Sequence, residues 1–275
     1  MGLALLALTL VTASLLGLIV AFVFREALPV LGAGSAQLLD VRQSWHPLEG
    51  QFGMAPMVVA SVLCTLGAVL IAFPLGVASA LFAQYYGAPW LVRPYRWMIG
   101  LLAGIPSVVF GLWGLTVLVP LIASFAPPGA SLITGVLILM LMILPTIALT
   151  AEAAFMEVPV AYLQGAHALG LKKSAITLQV LLPAARKGLV AGVALAAARA
   201  LGETMAVLMV TGNVVQMPAG FFDPVRTLTA NIALEMAYAT GDHRASLFFS
   251  GLVLTAVVVV LALVAHRYGN THAAA

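Results

Sequence analysis

The strongest constraint on this chain is the absence of charged residues over long apolar stretches. No Lys, Arg, Asp or Glu occurs in residues 1–24, 50–92 or 97–151. About 20 apolar residues cross the hydrocarbon core of a bilayer as one helix. With 63% hydrophobic and 8% charged residues and a mean hydropathy of +1.13, the composition lies outside the range of soluble proteins. The sequence therefore predicts an all-α, multi-pass membrane protein.

The lengths of these stretches predict six transmembrane helices. Residues 97–151 are long enough for two spans, and Ser124-Phe-Ala-Pro-Pro-Gly129 supplies the turn between them. The predicted spans are about 3–24, 56–82, 97–123, 131–154, 188–211 and 245–266. We expect the first to be a retained helix, because no basic region precedes it and it is too long for a signal peptide. Residues 1–275 then form a single transmembrane domain with its core at about 55–266.

The distribution of Lys and Arg predicts the orientation, because cytoplasmic loops carry an excess of these residues. With the N-terminus inside, seven basic residues fall in inner loops: Arg93, Arg96, Lys172, Lys173, Arg186, Lys187 and Arg267. Four fall in outer loops: Arg25, Arg42, Arg226 and Arg244. Arg25 alone, directly after the first span, favours the opposite orientation. We expect both termini in the cytoplasm, periplasmic loops at 25–55 and 212–244, and a cytoplasmic loop at 155–187.

The loop at 155–187 contains a segment suited to contact another protein. Gln164-Gly-Ala-His-Ala-Leu-Gly170 places small residues at Gly165, Ala166 and Ala168. Such residues allow a neighbouring protein to approach closely, and Gly170 permits a sharp turn out of a helix. The alternative is an ordinary amphipathic helix at the membrane interface.

Two charged residues lie inside the fifth predicted span. Arg199 and Glu203 are four residues apart, so on a continuous helix they share a face and can pair. An arginine at membrane depth is costly and usually functional. Arg199 could contact an anion in transit, with Glu203 holding it; the alternative is an ion pair that only fixes packing against a neighbouring subunit.

The third predicted span contains a break. Gly104-Ile-Pro106-Ser107 could unwind the helix locally, so that Ser107 and freed backbone N–H groups face a pathway. The alternative is a plain proline kink packed against a neighbour. The pairs Gly100/Gly104 and Gly188/Gly192 indicate close helix packing.

Other kinds of site are not indicated. Gly165 and Gly170 are followed by Leu171 before Lys172, whereas a phosphate-binding loop needs lysine directly after its second glycine. The five scattered histidines and the lone Cys64, expected to be buried, suggest no metal site, cofactor or disulfide. The positive charge lies in short inter-span loops, so no nucleic-acid partner is expected. Glu152 and Glu157 are expected at the membrane interface or against a motor subunit.

The cytoplasmic segment resembles the "EAA" loop of ABC-importer permeases, written E-A-A-x-x-x-G-x9-I-x-L-P. Gly170, Val180, Leu182 and Pro183 fall on its fixed positions, while Gln164 and Gly165 replace the usual Glu and first Ala. The departure removes one potential salt bridge to the ATPase. In that family the loop forms a coupling helix in a groove of the ATP-binding subunit, which assigns Gln164, Gly165, Ala166, Ala168 and Gly170 to coupling.

Further segments are similar to phosphate-specific ABC permeases. They are residues 104–111, residues 199–207 with Arg199, Glu203 and Thr204, and residues 227–235 followed by His243. Trp45-His-Pro47 with Phe52-Gly53 resembles the PstC type rather than its PstA partner.

This resemblance implies a type I ABC importer permease fold in the bacterial inner membrane, with a pathway that includes Arg199, Glu203, Thr204 and Ser107. It also implies a second, PstA-type permease, two ATP-binding subunits and a periplasmic phosphate-binding protein as partners, besides membrane lipid. The chain itself would then have no catalytic residue. The alternatives are a permease for sulfate, molybdate or a phosphonate, a secondary transporter or channel, and an intramembrane enzyme.

Overall fold

The structure, a computed structural model, describes residues 2–38 and 44–270; Arg42, counted above among the outer basic residues, lies outside them. The helices of this part are α1 (Gly2–Leu38), α2 (Ala55–Tyr86), α3 (Pro89–Gly104), α4 (Ser107–Ala123), α5 (Leu132–Met156), α6 (Val160–Ala168), α7 (Lys173–Gly202), α8 (Met205–Val210), α9 (Leu228–Glu235) and α10 (Gly241–Asn270). An antiparallel hairpin of β1 (Trp45–His46) and β2 (Gln51–Phe52) precedes α2.

The described residues contain five helices that are each long and apolar enough to cross a membrane: α1, α2, α5, α7 and α10. Helices α3 and α4 together pass the same test but are bent by 93° at their junction, so they form the sixth span if they are counted as one. The prediction of an all-α protein with six spans is therefore confirmed. The boundaries of the first and fifth spans differ from the predicted ones.

Helix α1 continues well past its predicted end at residue 24. Residues 22–30 pack against α10, where Ala27 and Val30 are buried and the ring of Phe22 meets that of Phe248 edge-on. The Glu26 carboxylate lies 3.6 Å from an Nη atom of Arg244 on α10. The apolar contact with α10 thus continues past residue 24, and the helix continues with it.

The prediction of a fifth span at 188–211 is wrong at both ends. Helix α7 begins at Lys173 and passes through a wider, π-type turn at Thr177–Leu181, so it includes residues expected to lie in the loop. Pro183 is accommodated within this span. At the other end the helix stops at Gly202, because Glu203 adopts an extended backbone with φ −69° and ψ 128°. The following residues form the separate helix α8.

The core lies between α2, α5 and α7. Its buried residues are Ala60, Cys64, Ala68, Ala72, Leu132, Leu139, Met142, Ile143, Ile147, Ala196, Ala200, Val207 and Val225. Cys64 is buried, as predicted.

Glycines on α7 bring this helix close to α5. A Cβ atom added at Gly188 would clash with the Cβ of Ala154, and one added at Gly192 would clash with the Oγ1 of Thr150. The packing predicted for this pair is confirmed. The packing predicted for Gly100 and Gly104 is wrong within the described chain, where no atom lies within 4 Å of an added Cβ at either position.

Candidate pathway residues and docking loop

Two helix breaks lie side by side in the structure. The first, at residues 105–106, separates α3 from α4, and the second, at residues 203–204, separates α7 from α8. A Cβ at Gly111 would lie 2.9 Å from the Cα of Ala206, and a Cβ at Gly114 would lie 2.9 Å from Cγ1 of Val210. From the first contact to the second, the residue number rises on both helices, so α4 and α8 run parallel. Ser107, one turn before Gly111, is therefore level with the end of α7 and with the second break.

The first break separates α3 from α4. Ile105 and Pro106 both have extended backbones, with ψ angles of 129° and 139°, and Ser107 opens α4 with its side chain partly buried. The prediction that this segment unwinds is confirmed. A plain kink is the wrong description, because two consecutive residues leave the helical conformation. That Ser107 faces a pathway stays a prediction.

The second break is held by side chains that satisfy the freed backbone groups. The Oε1 of Glu203 accepts a hydrogen bond from the N–H of Ala206 at 3.1 Å, which stabilises the start of α8. The carbonyl of Glu203 accepts a hydrogen bond of 2.8 Å from the Oγ1 of Thr229 on α9. Thr204 donates locally to the carbonyl of Gly202 at 3.3 Å. Glu203 therefore fixes the geometry of the break, and helix α9 supports it.

Arg199 lies in the last turn of α7, and its side chain is exposed. The predicted pairing of Arg199 with Glu203 is wrong: no salt bridge joins them among the described residues. The physical reason is the break, since Glu203 no longer continues the helix that would place it on the face of Arg199. Within the described residues, the hydrogen bond of Arg199 is from Nη1 to Oγ1 of Thr146 on α5, at 3.5 Å. Most of its five donors are therefore available to another group.

The position of Arg199 follows from the packing of α7 on α5. These helices run antiparallel, with Gly188 against Ala154 and Gly192 against Thr150. Continuing that register places Thr146 opposite Ala196, about one turn before Arg199, whose side chain reaches back to it. The structure thus gathers Arg199, Thr146 and the Glu203–Thr204 break on one part of the molecule, with Ser107 at the same level on α4.

The predicted docking segment forms the short helix α6 and a tight turn after it. Gly170 adopts the left-handed conformation with φ +73°, and the N–H of Leu171 donates to the carbonyl of Ala166 at 3.2 Å. The sharp turn predicted for Gly170 is therefore confirmed.

The five residues assigned to coupling differ in exposure. Ala166 is buried in its own chain, whereas the other four are exposed: Gln164, Gly165, Ala168 and Gly170. Ala166 therefore packs inward and offers no surface to a partner. Two large apolar side chains of the segment are exposed instead, Tyr162 at 58% and Leu169 at 80%. That a partner protein covers them stays a prediction.

A buried polar cluster on the opposite end of the molecule was not predicted. Glu235 is 6% exposed and accepts three hydrogen bonds: from Nη1 of Arg226 at 2.7 Å, Nε2 of His243 at 2.8 Å and Nε1 of Trp45 at 2.9 Å. The cluster ties β1, α9 and α10 together. It thereby positions α9, whose Thr229 holds the second break. The available sequence signal was two opposite charges in one short loop, at 226 and 235, followed by a histidine.

Comparison with known proteins gives consistent matches over most of the chain. The family described as "Binding-protein-dependent transport system inner membrane component" matches residues 72–270. A "Phosphate transport system permease protein PstC" of Mesorhizobium japonicum is 36% identical, covering 86% of this chain and 81% of its own length. One of the same description from Xylella fastidiosa is 32% identical over 80% of this chain and 75% of its own length. The "Probable ABC transporter permease protein YqgH" of Bacillus subtilis is 40% identical over 77% of this chain and 70% of its own length.

Solved structures support the same fold. A chain of the inward-facing MetNI methionine ABC transporter aligns with a TM-score of 0.61 at 19% identity, covering 76% of this chain and 91% of its own. A chain of an amino acid ABC transporter aligns with a TM-score of 0.56 at 16% identity, covering 78% and 91%.

Proposed function

This chain belongs to the family of binding-protein-dependent transport system inner membrane components, and from that premise we propose that it is the permease subunit of an ATP-driven phosphate importer of the PstC type. The observation that carries the proposal is the identity of 32–36% to phosphate transport permeases over about four fifths of the chain. The chain is a multi-pass membrane protein, and its family works together with other ABC transporter subunits.

The finer assembly is part of the proposal. A second, PstA-type permease completes the pathway, two ATP-binding subunits dock beneath, and a periplasmic phosphate-binding protein docks above. ATP binding and hydrolysis take place in the separate subunits and move α6, which passes the motion to α5 and α7. The helices then switch a central cavity between outward and inward access. The membrane is the bacterial inner membrane, with lipid around the spans.

Arg199 is the proposed phosphate contact. A guanidinium group presents a planar fork of donors that matches the oxygens of phosphate. Its exposure and its single long hydrogen bond to Thr146 support this role. Glu203 and Thr204 contribute by shaping the break beside it, and Ser107 lies at the same level. The ends of α7, α4 and α8 thus form the part of the pathway that this chain supplies.

We also propose that both termini are cytoplasmic, with α6 inside and the segment 212–240 outside. A topology reporter fused after Phe222 should then be active only in the periplasm, and one fused after Lys173 only in the cytoplasm. Both residues are exposed, so a fusion there leaves the core intact. Finding both reporters on the same side would contradict the number of spans and the docking of a cytoplasmic ATPase on α6.

The transported substrate is tested by uptake of labelled phosphate into cells that lack this chain and all other phosphate importers. Restoring the chain should restore uptake, and excess unlabelled phosphate should abolish the signal. Excess sulfate, molybdate or phosphonate should leave most of it. Inhibition by one of these anions as strong as that by phosphate would assign the permease to that oxyanion. Uptake that continues without ATP would contradict the ABC mechanism.

A further inference from the structure

Helix α3 packs against the ends of α2 and α5 and meets α4 at an angle of 93°. Tyr95 and Arg96 place α3 at the same end of the molecule as α6. The hydroxyl of Tyr95 donates to Oγ of Ser79 near the end of α2, and Arg96 pairs with Glu152 near the end of α5. Glu152, which was expected at the interface or against a motor, is therefore engaged within its own chain.

The side chains of α3 match those of a helix at a membrane surface. Trp90 is 75% exposed and Trp97 is 74% exposed, while Val92 and Ile99 are buried against the protein. Tryptophan is enriched at the level of the lipid headgroups, where one end of the ring is apolar and the other is hydrated. A helix with an apolar inner face, exposed Trp and basic residues is typical of the membrane interface.

A cleft of about 820 Å³ runs along this helix. Its polar lining includes Arg93, Arg96 and Gln84, and its apolar lining includes Trp97 and Leu101. At Gly100 no atom lies within 4 Å of an added Cβ, so the cleft is open there. Arg96 is shared with Glu152 and with the side-chain oxygen of Gln84 at 2.9 Å. One carboxylate facing two guanidinium groups leaves the cleft with a net positive charge.

We propose that this cleft binds an anionic phospholipid, with the headgroup phosphate on Arg93 and the edge of Arg96. The acyl chains then lie along Trp97, Gly100 and Leu101. Basic pockets beside membrane helices bind anionic headgroups in this way. The bound lipid holds the basic residues of α3 at the membrane surface. The proposal depends on the membrane location of α3 and is independent of the substrate that the chain transports.

The test measures lipid preference through the part of the Trp fluorescence that comes from Trp97, one of four tryptophans in the chain. The full-length chain, with the subunits that co-purify with it, is placed in nanodiscs, and spin-labelled phosphatidylglycerol or spin-labelled phosphatidylcholine is titrated while Trp fluorescence quenching is followed. We expect phosphatidylglycerol to quench at about five-fold lower mole fraction, the preference that one basic side chain gives at a membrane surface. The Trp97→Phe variant should lose most of this selective component, which shows that the signal comes from the cleft.

Arg93 is the residue to change, because Arg96 is also an internal ion-pair partner. Arg93→Gln should bring the preference for phosphatidylglycerol close to one, and Arg93→Lys should retain it. Arg267→Gln, which removes an exposed charge from α10, serves as the matched control and should change nothing. An unchanged preference in Arg93→Gln would overturn the proposal. A Gly100→Cys variant that cross-links to a co-purifying protein instead of staying accessible to lipid would also overturn it, since the cleft would then be a protein interface.

Discussion

Replacing Arg199 by Gln is expected to reduce phosphate uptake to a small residual rate while leaving the permease in the membrane and assembled. Hydrogen bonds to a charged group contribute roughly 1.5–3 kcal/mol, so losing this contact should lower uptake about ten- to a hundredfold. Glutamine is two bonds shorter than arginine and gives up the long hydrogen bond to Thr146, but the close packing of α7 on α5 at Gly188 and Gly192 persists. The measurement is initial-rate phosphate uptake in cells without other phosphate importers, at membrane levels matched by immunoblot.

A lysine at position 199 tests whether the planar shape of the arginine side chain matters in addition to its charge. Arg199→Lys keeps the positive charge but replaces a planar fork by a single ammonium group. We expect uptake in this variant to be poor too, whereas Arg267→Gln should transport normally. Near-normal uptake in Arg199→Gln would mean that Arg199 is structural. The phosphate contact would then have to be sought around Ser107 or on the partner permease.

The structure changes what is expected for Glu203. On a continuous helix the Glu203 carboxylate would pair with Arg199 and weaken its hold on phosphate. Glu203→Gln would then free Arg199 to bind phosphate too tightly for release. In the structure the carboxylate accepts a hydrogen bond from the N–H of Ala206 and is not paired with Arg199. The Oε1 of glutamine can accept the same bond, so the reason for expecting a large effect of Glu203→Gln on phosphate release no longer holds.

The fold was predictable where a single physical signal determines it. Absence of charge over the length of a span identified the spans, and the glycines at 188 and 192 marked their close packing on α5. Gly170 was identifiable because its turn needs a positive φ. The break before Ser107 was identifiable because Gly104 and Pro106, two residues apart, both weaken a helix.

The missed features depend on tertiary contacts. The break at Glu203 has no proline, and it is stable because Thr229, 26 residues further along the chain, holds the freed carbonyl. The extended part of α1 packs against α10 and pairs Glu26 with Arg244, which is distant in sequence. The cluster around Glu235 joins residues 45, 226, 235 and 243, and no local pattern connects them. In each case a partner remote in sequence satisfies a polar group, and a local pattern contains no information about that partner.

The docking loop gives the second large expected effect. Ala168 and Gly170 are exposed beside Leu169, so a charge added here has to be buried when an ATPase covers the patch. Burying an unpaired charge in an interface costs several kcal/mol. We therefore expect Ala168→Glu and Gly170→Asp to remain in the membrane but to lose co-purification of the ATPase and permease-stimulated ATP hydrolysis by more than about tenfold.

Isosteric amides separate the added charge from the other consequences of substitution. Gly170 has φ +73°, a conformation that Asn and Asp tolerate better than other side chains. Gly170→Asn and Ala168→Gln therefore introduce nearly the same shape and the same backbone requirement as the acidic variants, without the charge. They should retain a substantial part of the coupled ATPase activity, measured on the co-purified complex at matched amounts of permease. If Gly170→Asp and Gly170→Asn lose coupled ATPase activity equally, the defect lies in the turn and not in the added charge. Normal coupled hydrolysis in Ala168→Glu would show that the ATPase docks elsewhere.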